Sequence, residues 1–340
     1  MSADTNNQPP IIASDAAAHA ATGGPGLFKR LLQMRELPII LSIIALAAFI
    51  SWRNPSFLSL YNMQLLAREI GVLGMMAIAV MVVIITGGID LSVGSVVALV
   101  SVLTAMGLAA SLPVWLVAPG VLLICLLIGL THTFLVHGIG LAPFIATLGT
   151  LSVLRGISLI ITQGYPIRIE NPALLWLGQG DIVGIPIQFV ALLLLFALYT
   201  FVLFSTPLGR YIYALGSNPV TTRLSGVAVP LVMAVVYVQA SIIFGVSGLM
   251  YAGRLGQGMP GIGAGMELPV IASAIIGGTS LSGGVGKPLG AILGAVLISL
   301  ILNAMNMLAI SSYWQELVTG LVIVAAVGVD ILNRRRASVR

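Results

Sequence analysis

The chain is a succession of long uncharged apolar runs, and what most restricts its fold is how one of them is interrupted. Thr86 to Ser95, TGGIDLSVGS, sets glycines and one carboxylate between two stretches of nearly pure hydrocarbon, Ile70 to Ile85 and Val93 to Leu112. Either stretch is apolar enough to cross a bilayer. Within lipid an unbonded amide or carbonyl costs several kcal/mol, so irregular backbone survives only where it is buried in protein or lines a watery cavity. Gly87 and Gly88 end the first helix, because paired glycines leave the backbone free and give it nothing to pack. Asp90 or Ser92 then caps the next helix by accepting amide protons that the first turn cannot satisfy. Asp90 has two readings: that cap, or a direct part in a polar transport path, the default for an ionisable group inside a membrane.

Composition makes the bilayer the right solvent. The 340 residues are 59% hydrophobic and 7% charged, with a mean hydropathy of +1.11, whereas a soluble domain carries roughly a quarter charged residues. The net charge of +5 does not point to nucleic acid, since the basic residues stand singly at the ends of apolar runs, as topology signals do. Cys125 is the one cysteine, so no disulfide forms within the chain, and the three histidines show no metal-ligand spacing.

Residues 1–26 hold no apolar run and read as a disordered cytosolic tail, without the basic start and hydrophobic centre of a cleaved signal peptide. Lys29, Arg30 and Arg35 precede the first span, about Leu37 to Trp52, and put the amino terminus inside. The further spans are about Gln64 to Thr86, Val93 to Ser111, Val114 to Val136, Pro143 to Thr162, Ile185 to Ser205, Leu231 to Ala252, Met266 to Gly278, Pro288 to Leu308 and Trp314 to Leu332. The expectation is an all-α integral membrane protein of about ten transmembrane helices, residues 27–340 forming one transmembrane domain. A crossing needs about 20 apolar residues, so the eighth run is expected to be a half-helix or re-entrant segment. Ten spans bring the carboxyl terminus back inside with Arg334, Arg335, Arg336 and Arg340. Only Arg53, Arg68, Arg168 and Arg254 fall outside. Arg155 lies within the fifth span, as a bridge to a carbonyl or carboxylate of a neighbouring helix or as a contact for substrate.

The pattern G-G-x-x-L-S-x-G occurs twice, at Gly87 to Gly94 and Gly277 to Gly284, each time after an apolar helix. Chance in a glycine-rich chain and an internal duplication, with broken helices of two halves facing one path, both account for it. The topology puts both copies at the same end of a span.

The most informative hydrophilic stretch is Thr206 to Pro230, on the inner side. Asn218 and Pro219 are a helix start, Asn as cap and Pro at the first helical position, with a turn and a half over Val220 to Leu224 ended by Gly226. So short a helix is unstable alone and makes sense where a partner packs on it.

Together, TGGIDLSVGS, GRYIYALGSNPVTTRLSGV, GGTSLSGGVGKPLGAILGA, NAMNML and SSYWQ resemble the membrane permeases of bacterial ABC importers for ribose and related monosaccharides, in order over roughly Asn54 to Asn333. The resemblance implies the ABC importer permease fold and a set of partners: a second permease in a homodimer, two ATPase subunits docked inside that use ATP and Mg, and a periplasmic sugar-binding protein. It places the coupling segment on Gly216, Asn218, Pro219, Thr222, Arg223 and Gly226. It implies a multi-pass protein of the bacterial inner membrane with both termini cytosolic.

On this reading the substrate path is expected to include Asp90, Ser92, Ser95, Gln239, Asn303 and Asn306, although Gln239 and the asparagine pair, three apart on one helical face, suit interhelical bonding equally. Gly286, Gly290 and Gly294 read as a close helix-packing face. Between Gln163 and Gly184 a polar outer loop is either solvated or a landing site for the delivery protein. No G-x-x-x-x-G-K-[ST] loop is present to cradle ATP, and no nucleophile arrangement or metal cluster suggests chemistry on the substrate, so the chain is expected to be a transport subunit without enzymatic activity or bound cofactor. The substrate expected is a neutral monosaccharide. The alternatives are an ion-gradient-driven secondary transporter, which would need a deep protonatable cluster around Asp90, and an importer permease for branched-chain amino acids or nucleosides.

Overall fold

The computed structural model describes residues 36–311, 313–315, 317–321, 324, 325 and 328. The expected tail over 1–26, Glu316 and parts of the last apolar run, including its end from 329, lie outside the described residues. The apolar runs become α1 Leu37–Arg53, α2 Leu60–Ile85, α3 Val93–Ala109, α4 Val114–Thr133, α5 Pro143–Thr162, α7 Ile187–Ser205, α10 Val229–Leu255, α11 Glu267–Ile276 and α12 Pro288–Met307. α4 runs on through one wider turn to Gly138. Proline stands in the first turn of α1, α5, α10 and α12, where a missing amide proton costs nothing.

Six of these helices, α2, α4, α5, α7, α10 and α12, are long and apolar enough to cross a membrane. α1, α3 and α11 are shorter. α11 has ten residues, about 15 Å at 1.5 Å per residue.

The bundle is built around α2. It packs on α7, α10, α11 and α12, and 89% of its apolar stretch is buried, against 22–28% for α4, α5 and α7. A helix apolar on every face belongs in the middle of a bundle, and the outer helices offer their apolar faces to hydrocarbon. α10 crosses beside it, covered by α3, α4 and α6 Pro172–Gln179.

The two ends differ. At one end α8 Pro207–Ser217 and α9 Pro219–Leu224 connect α7 to α10. At the other, the stretch read as a loop between Gln163 and Gly184 is folded. β1 Ile167–Arg168 pairs antiparallel with β4 Gln257–Gly258, α6 follows, and β2 Asp181–Ile182 pairs with β3 Ile185–Pro186. Val183 and Gly184 make the hairpin turn with φ of 54° and 79°. The cap is tied to the bundle by Arg68, whose Nη2 donates to the Gln179 carbonyl at 2.7 Å, and by Gln188, which donates to Gly178.

Candidate functional site

The break after α2 begins as a Schellman closure. Gly87 takes φ +81°, the Gly88 amide bonds the Val83 carbonyl at 3.1 Å, and the Gly87 amide bonds Ile84 at 2.9 Å. From there the chain runs without helix or strand to Ser92 and is held by side chains. Thr147 of α5 donates to the Ile89 carbonyl at 3.1 Å, and its hydroxyl accepts the Leu91 amide at 3.2 Å. Asp90, fully buried, accepts the Ser92 amide at 2.9 Å and the Ser92 hydroxyl at 2.7 Å on Oδ1. Ser95 turns back to the Ser92 carbonyl at 2.8 Å. Asp90, Ser92 and Ser95 are thus one knot. Its form corrects the expected cap: Ser92 is the N-cap residue of α3 but makes no side-chain cap bond, and Asp90 bonds the amide of Ser92 rather than one inside the helix.

Nor is Asp90 alone. Its Oδ2 faces His132 Nδ1 of α4 at 3.7 Å, both side chains fully buried. Neither His132 nitrogen has a hydrogen-bond partner among the described residues, nor does the Tyr237 hydroxyl. The Tyr237 ring stands edge-on to His132 with centroids 5.8 Å apart, and its hydroxyl lies where a side chain at Gly88 would begin. Gly129 brings the α4 backbone against Tyr237 and Val238 of α10, which is what aims His132 inward. Two apolar helices therefore bring an imidazole and a phenol to the carboxylate of the break. The spacing of histidines in the sequence gives no hint of this, but an ionisable group in the middle of an apolar run was itself the signal.

Arg155 is a bridge: its Nη2 reaches Glu267 Oε1 of α11 at 3.4 Å. Glu267 also borders Gly94 at the start of α3, where a side chain would run into it.

The second copy closes α11 in the same way. Gly278 takes φ +88°, the Thr279 amide bonds Ala274 at 3.0 Å and the Gly278 amide bonds Ile275 at 2.8 Å. The rest folds into a tight turn, with Ser280 and Val285, and Gly283 and Ser280, joined by backbone bonds at 2.9 Å. The Gly284 amide then bonds the Ile85 carbonyl, the last residue of α2, at 2.8 Å. Both copies therefore lie at the same end of the bundle, as the topology requires. Gly290 and Gly294 lie against Gly277 and Ser273, so the glycine stripe is a packing face between α12 and α11.

The predicted coupling segment meets this turn. Gly216 of α8 lies on the Ile85 carbonyl and beside the Gly284 amide, with no room for a Cβ. The Tyr213 hydroxyl donates to the Gly286 carbonyl at 2.8 Å. α9 forms as the sequence predicts: Asn218 Oδ1 accepts the Thr221 amide at 3.0 Å, Pro219 occupies the first position, and Gly226 follows with φ +81°. Thr222 is buried and bonds the Asn218 carbonyl at 2.8 Å, while Arg223 projects outward and Val220 and Leu224 are 69% and 83% exposed. α8 itself went unread as a helix, although Thr206 caps it and Pro207 begins it.

A buried core helix, broken partners beside it and a capped helix offered at one end are the parts of a membrane translocation subunit. The family described as branched-chain amino acid transport system / permease component matches residues 62–327. The chain belongs to this permease family. It is similar to the ribose import permease protein RbsC of Haemophilus influenzae, 40% identical over 294 residues that cover 85% of this chain and 91% of that protein. It is similar also to RbsC of Bacillus subtilis, 36% identical over 308 residues, 90% and 94% of the two chains. The D-allose transport system permease protein AlsC of Escherichia coli is 35% identical over 294 residues, 86% and 90%. No solved structure matches.

In this permease the remaining path residues stand apart from the Asp90 knot. Gln239 is taken up in packing: Nε2 donates to the Ala79 carbonyl at 3.2 Å and to Val236 at 2.8 Å, and Oε1 accepts the Tyr199 hydroxyl. Asn303 exchanges amide bonds with Asn62 at 2.9 and 3.3 Å. Asn306 accepts from Gln315 at 2.8 Å. The asparagine pair lies toward the α6 end.

Proposed function

We propose that this chain is the membrane-spanning permease of a bacterial ABC importer, that it moves a neutral monosaccharide such as ribose inward across the inner membrane, and that a separate ATPase subunit using ATP and Mg drives it. The observation that carries the reading is α9, a stably capped six-residue helix whose exposed side chains include Val220, Arg223 and Leu224, joined through Gly216 to the last residue of α2. So short a helix is held in place for something to press on. The relatives named for ribose import and D-allose transport support the substrate class.

On this reading two permeases form the pore, the ATPase docks on Gly216, Asn218, Pro219, Thr222, Arg223 and Gly226, and a periplasmic binding protein delivers sugar at the α6 end. About ten segments lie in the bilayer, α11 reaching only part way. Residues 27–340 make the permease domain, 1–26 a tail, and both termini are cytosolic. Cassette closure pushes α9 and α8, the push reaches Ile85 and Gly284 as backbone contact, and the irregular Ile89 to Ser92 stretch rearranges about Asp90 while Asn303 and Asn306 line the approach. The chain itself holds no cofactor and performs no hydrolysis.

The buried Asp90 and His132 pair favours an ion-driven carrier. Vesicles holding this chain without any ATPase separate the two: an ion-driven carrier accumulates sugar there, and the proposed permease does not. In the full complex Arg223→Glu is expected to reach normal membrane levels and abolish both uptake and sugar-stimulated ATPase activity. Normal uptake by that variant overturns the docking assignment.

A further inference from the structure

Toward the α6 end, between α2, α10 and α12, lies a pocket of about 490 Å³, within the roughly 300–1,000 Å³ of small-molecule sites. Its lining is unlike the rest of the chain. Asn62 and Glu69 come from α2, Arg254 from α10, Ser299, Asn303 and Asn306 from α12, and Gln315 closes one side. In a chain with 7% charged residues, a convergence of this kind is a built surface.

The charges are balanced. Arg254 Nη1 donates to Glu69 Oε2 at 2.7 Å, and Glu69 Oε1 accepts the Tyr251 hydroxyl at 3.1 Å. The pair cancels its own charge and leaves guanidinium N–H groups and carboxylate lone pairs on the wall. An anion would compete with Glu69 and a cation with Arg254, so a charged solute gains little. A neutral solute with several hydroxyls gains most, because each hydroxyl both donates and accepts. The Asn62 and Asn303 amides offer the same mixed chemistry. Ser299, 1% exposed, has a buried hydroxyl with no hydrogen-bond partner among the described residues, and a buried polar group in that state is costly until something bonds it.

We infer that this pocket is a monosaccharide-binding subsite of the permease, in which Glu69, Arg254, Asn62, Ser299 and Asn303 bond sugar hydroxyls before the sugar reaches the break at Asp90. The inference rests on the reading that the chain carries sugars, and extends it to a site of its own at the end opposite α9.

Cys125 is buried, so a single introduced cysteine can be labelled selectively. Uptake of labelled D-ribose, D-allose and D-galactose by the full complex first identifies the sugar that is moved. That sugar is then added while a membrane-impermeant maleimide reacts with Asn306→Cys, at an exposed pocket position, and with Val183→Cys, 97% exposed on the hairpin, as control. Gln315→Cys replaces Asn306→Cys if the latter fails to reach wild-type membrane level. The expected result is several-fold slower labelling in the pocket with the transported sugar, no change at Val183→Cys, and a several-fold higher sugar concentration for half-protection when Ser299→Ala is added. If no monosaccharide is moved, the functional reading itself falls. If one is moved and pocket labelling is unchanged by it, the subsite is overturned while the functional reading stands.

Discussion

The segments 87–94 and 277–284 spell nearly the same small-residue phrase, and each ends its helix with the same Schellman closure, yet they are held by different kinds of bond. The closures are also out of step with the phrase by one residue: the left-handed glycine is the first of the pair at Gly87 and the second at Gly278. Beyond that point the second copy is stapled to Ile85 by the backbone amide of Gly284 and pressed by the backbone of Gly216. The first copy is fixed by side chains, Thr147 on Ile89 and Leu91, and Asp90 on Ser92. Backbone contacts have no rotamers to change, whereas bonds made by hydroxyls and a carboxylate can be exchanged one at a time. The second copy therefore suits transmission and the first suits rearrangement.

Substitutions can break or sharpen this contrast. The largest effect is expected at the stapled copy. Gly216→Val puts a Cβ on the Ile85 carbonyl oxygen, where there is no room for one, and overpacking of this kind costs about 1–3 kcal/mol or more, so membrane level and thermal stability should both fall sharply. A stable, active Gly216→Val protein would show that the junction is looser than the contact implies.

At the other copy the outcome depends on charge. Asp90→Asn keeps an acceptor for Ser92 but removes the carboxylate that faces His132, while Asp90→Leu also orphans the buried Ser92 amide and hydroxyl, about 1–3 kcal/mol for each unsatisfied group. Uptake at matched membrane levels should drop strongly for both, and stability mainly for Leu. Full uptake by the Asn variant would reduce Asp90 to a structural anchor.

The smallest effects make the sharpest pair. Thr147→Val removes the one hydroxyl that bonds both Ile89 and Leu91 and should cost about 1–3 kcal/mol. Thr279→Val in the second copy replaces a buried hydroxyl with no hydrogen-bond partner among the described residues, so it should be neutral or slightly stabilising. Denaturation midpoints of the purified variants decide it, and equal losses would contradict the contrast.

Much of this was legible in the sequence because helix position follows from uninterrupted apolar length. The fifth run, Pro143–Thr162, has its observed bounds in the sequence reading, and Asn218 with Pro219 announces α9 by cap chemistry alone. What stayed hidden was contact between distant elements. Glu69 and Arg254 are 185 residues apart, and nothing in either apolar run says that the two meet. His132 was set aside because its spacing to other histidines is uninformative, when its partner is a carboxylate on another helix. α8 does not announce itself in the sequence, because its short mixed run lacks the apolar length that marks the spans, and its amphipathic face is explained only by the bundle beneath it.

The central claim is that the second copy moves with α8 and α9 while the first copy rearranges against it. Paired spin labels at Val220→Cys and Ser282→Cys, and at Ser282→Cys and Leu91→Cys, in the complex with its ATPase and with ATP hydrolysis blocked, measure this directly. The account predicts an unchanged distance distribution for the first pair and a shifted one for the second when nucleotide closes the cassettes. A shift between Val220 and Ser282 with none between Ser282 and Leu91 would contradict it.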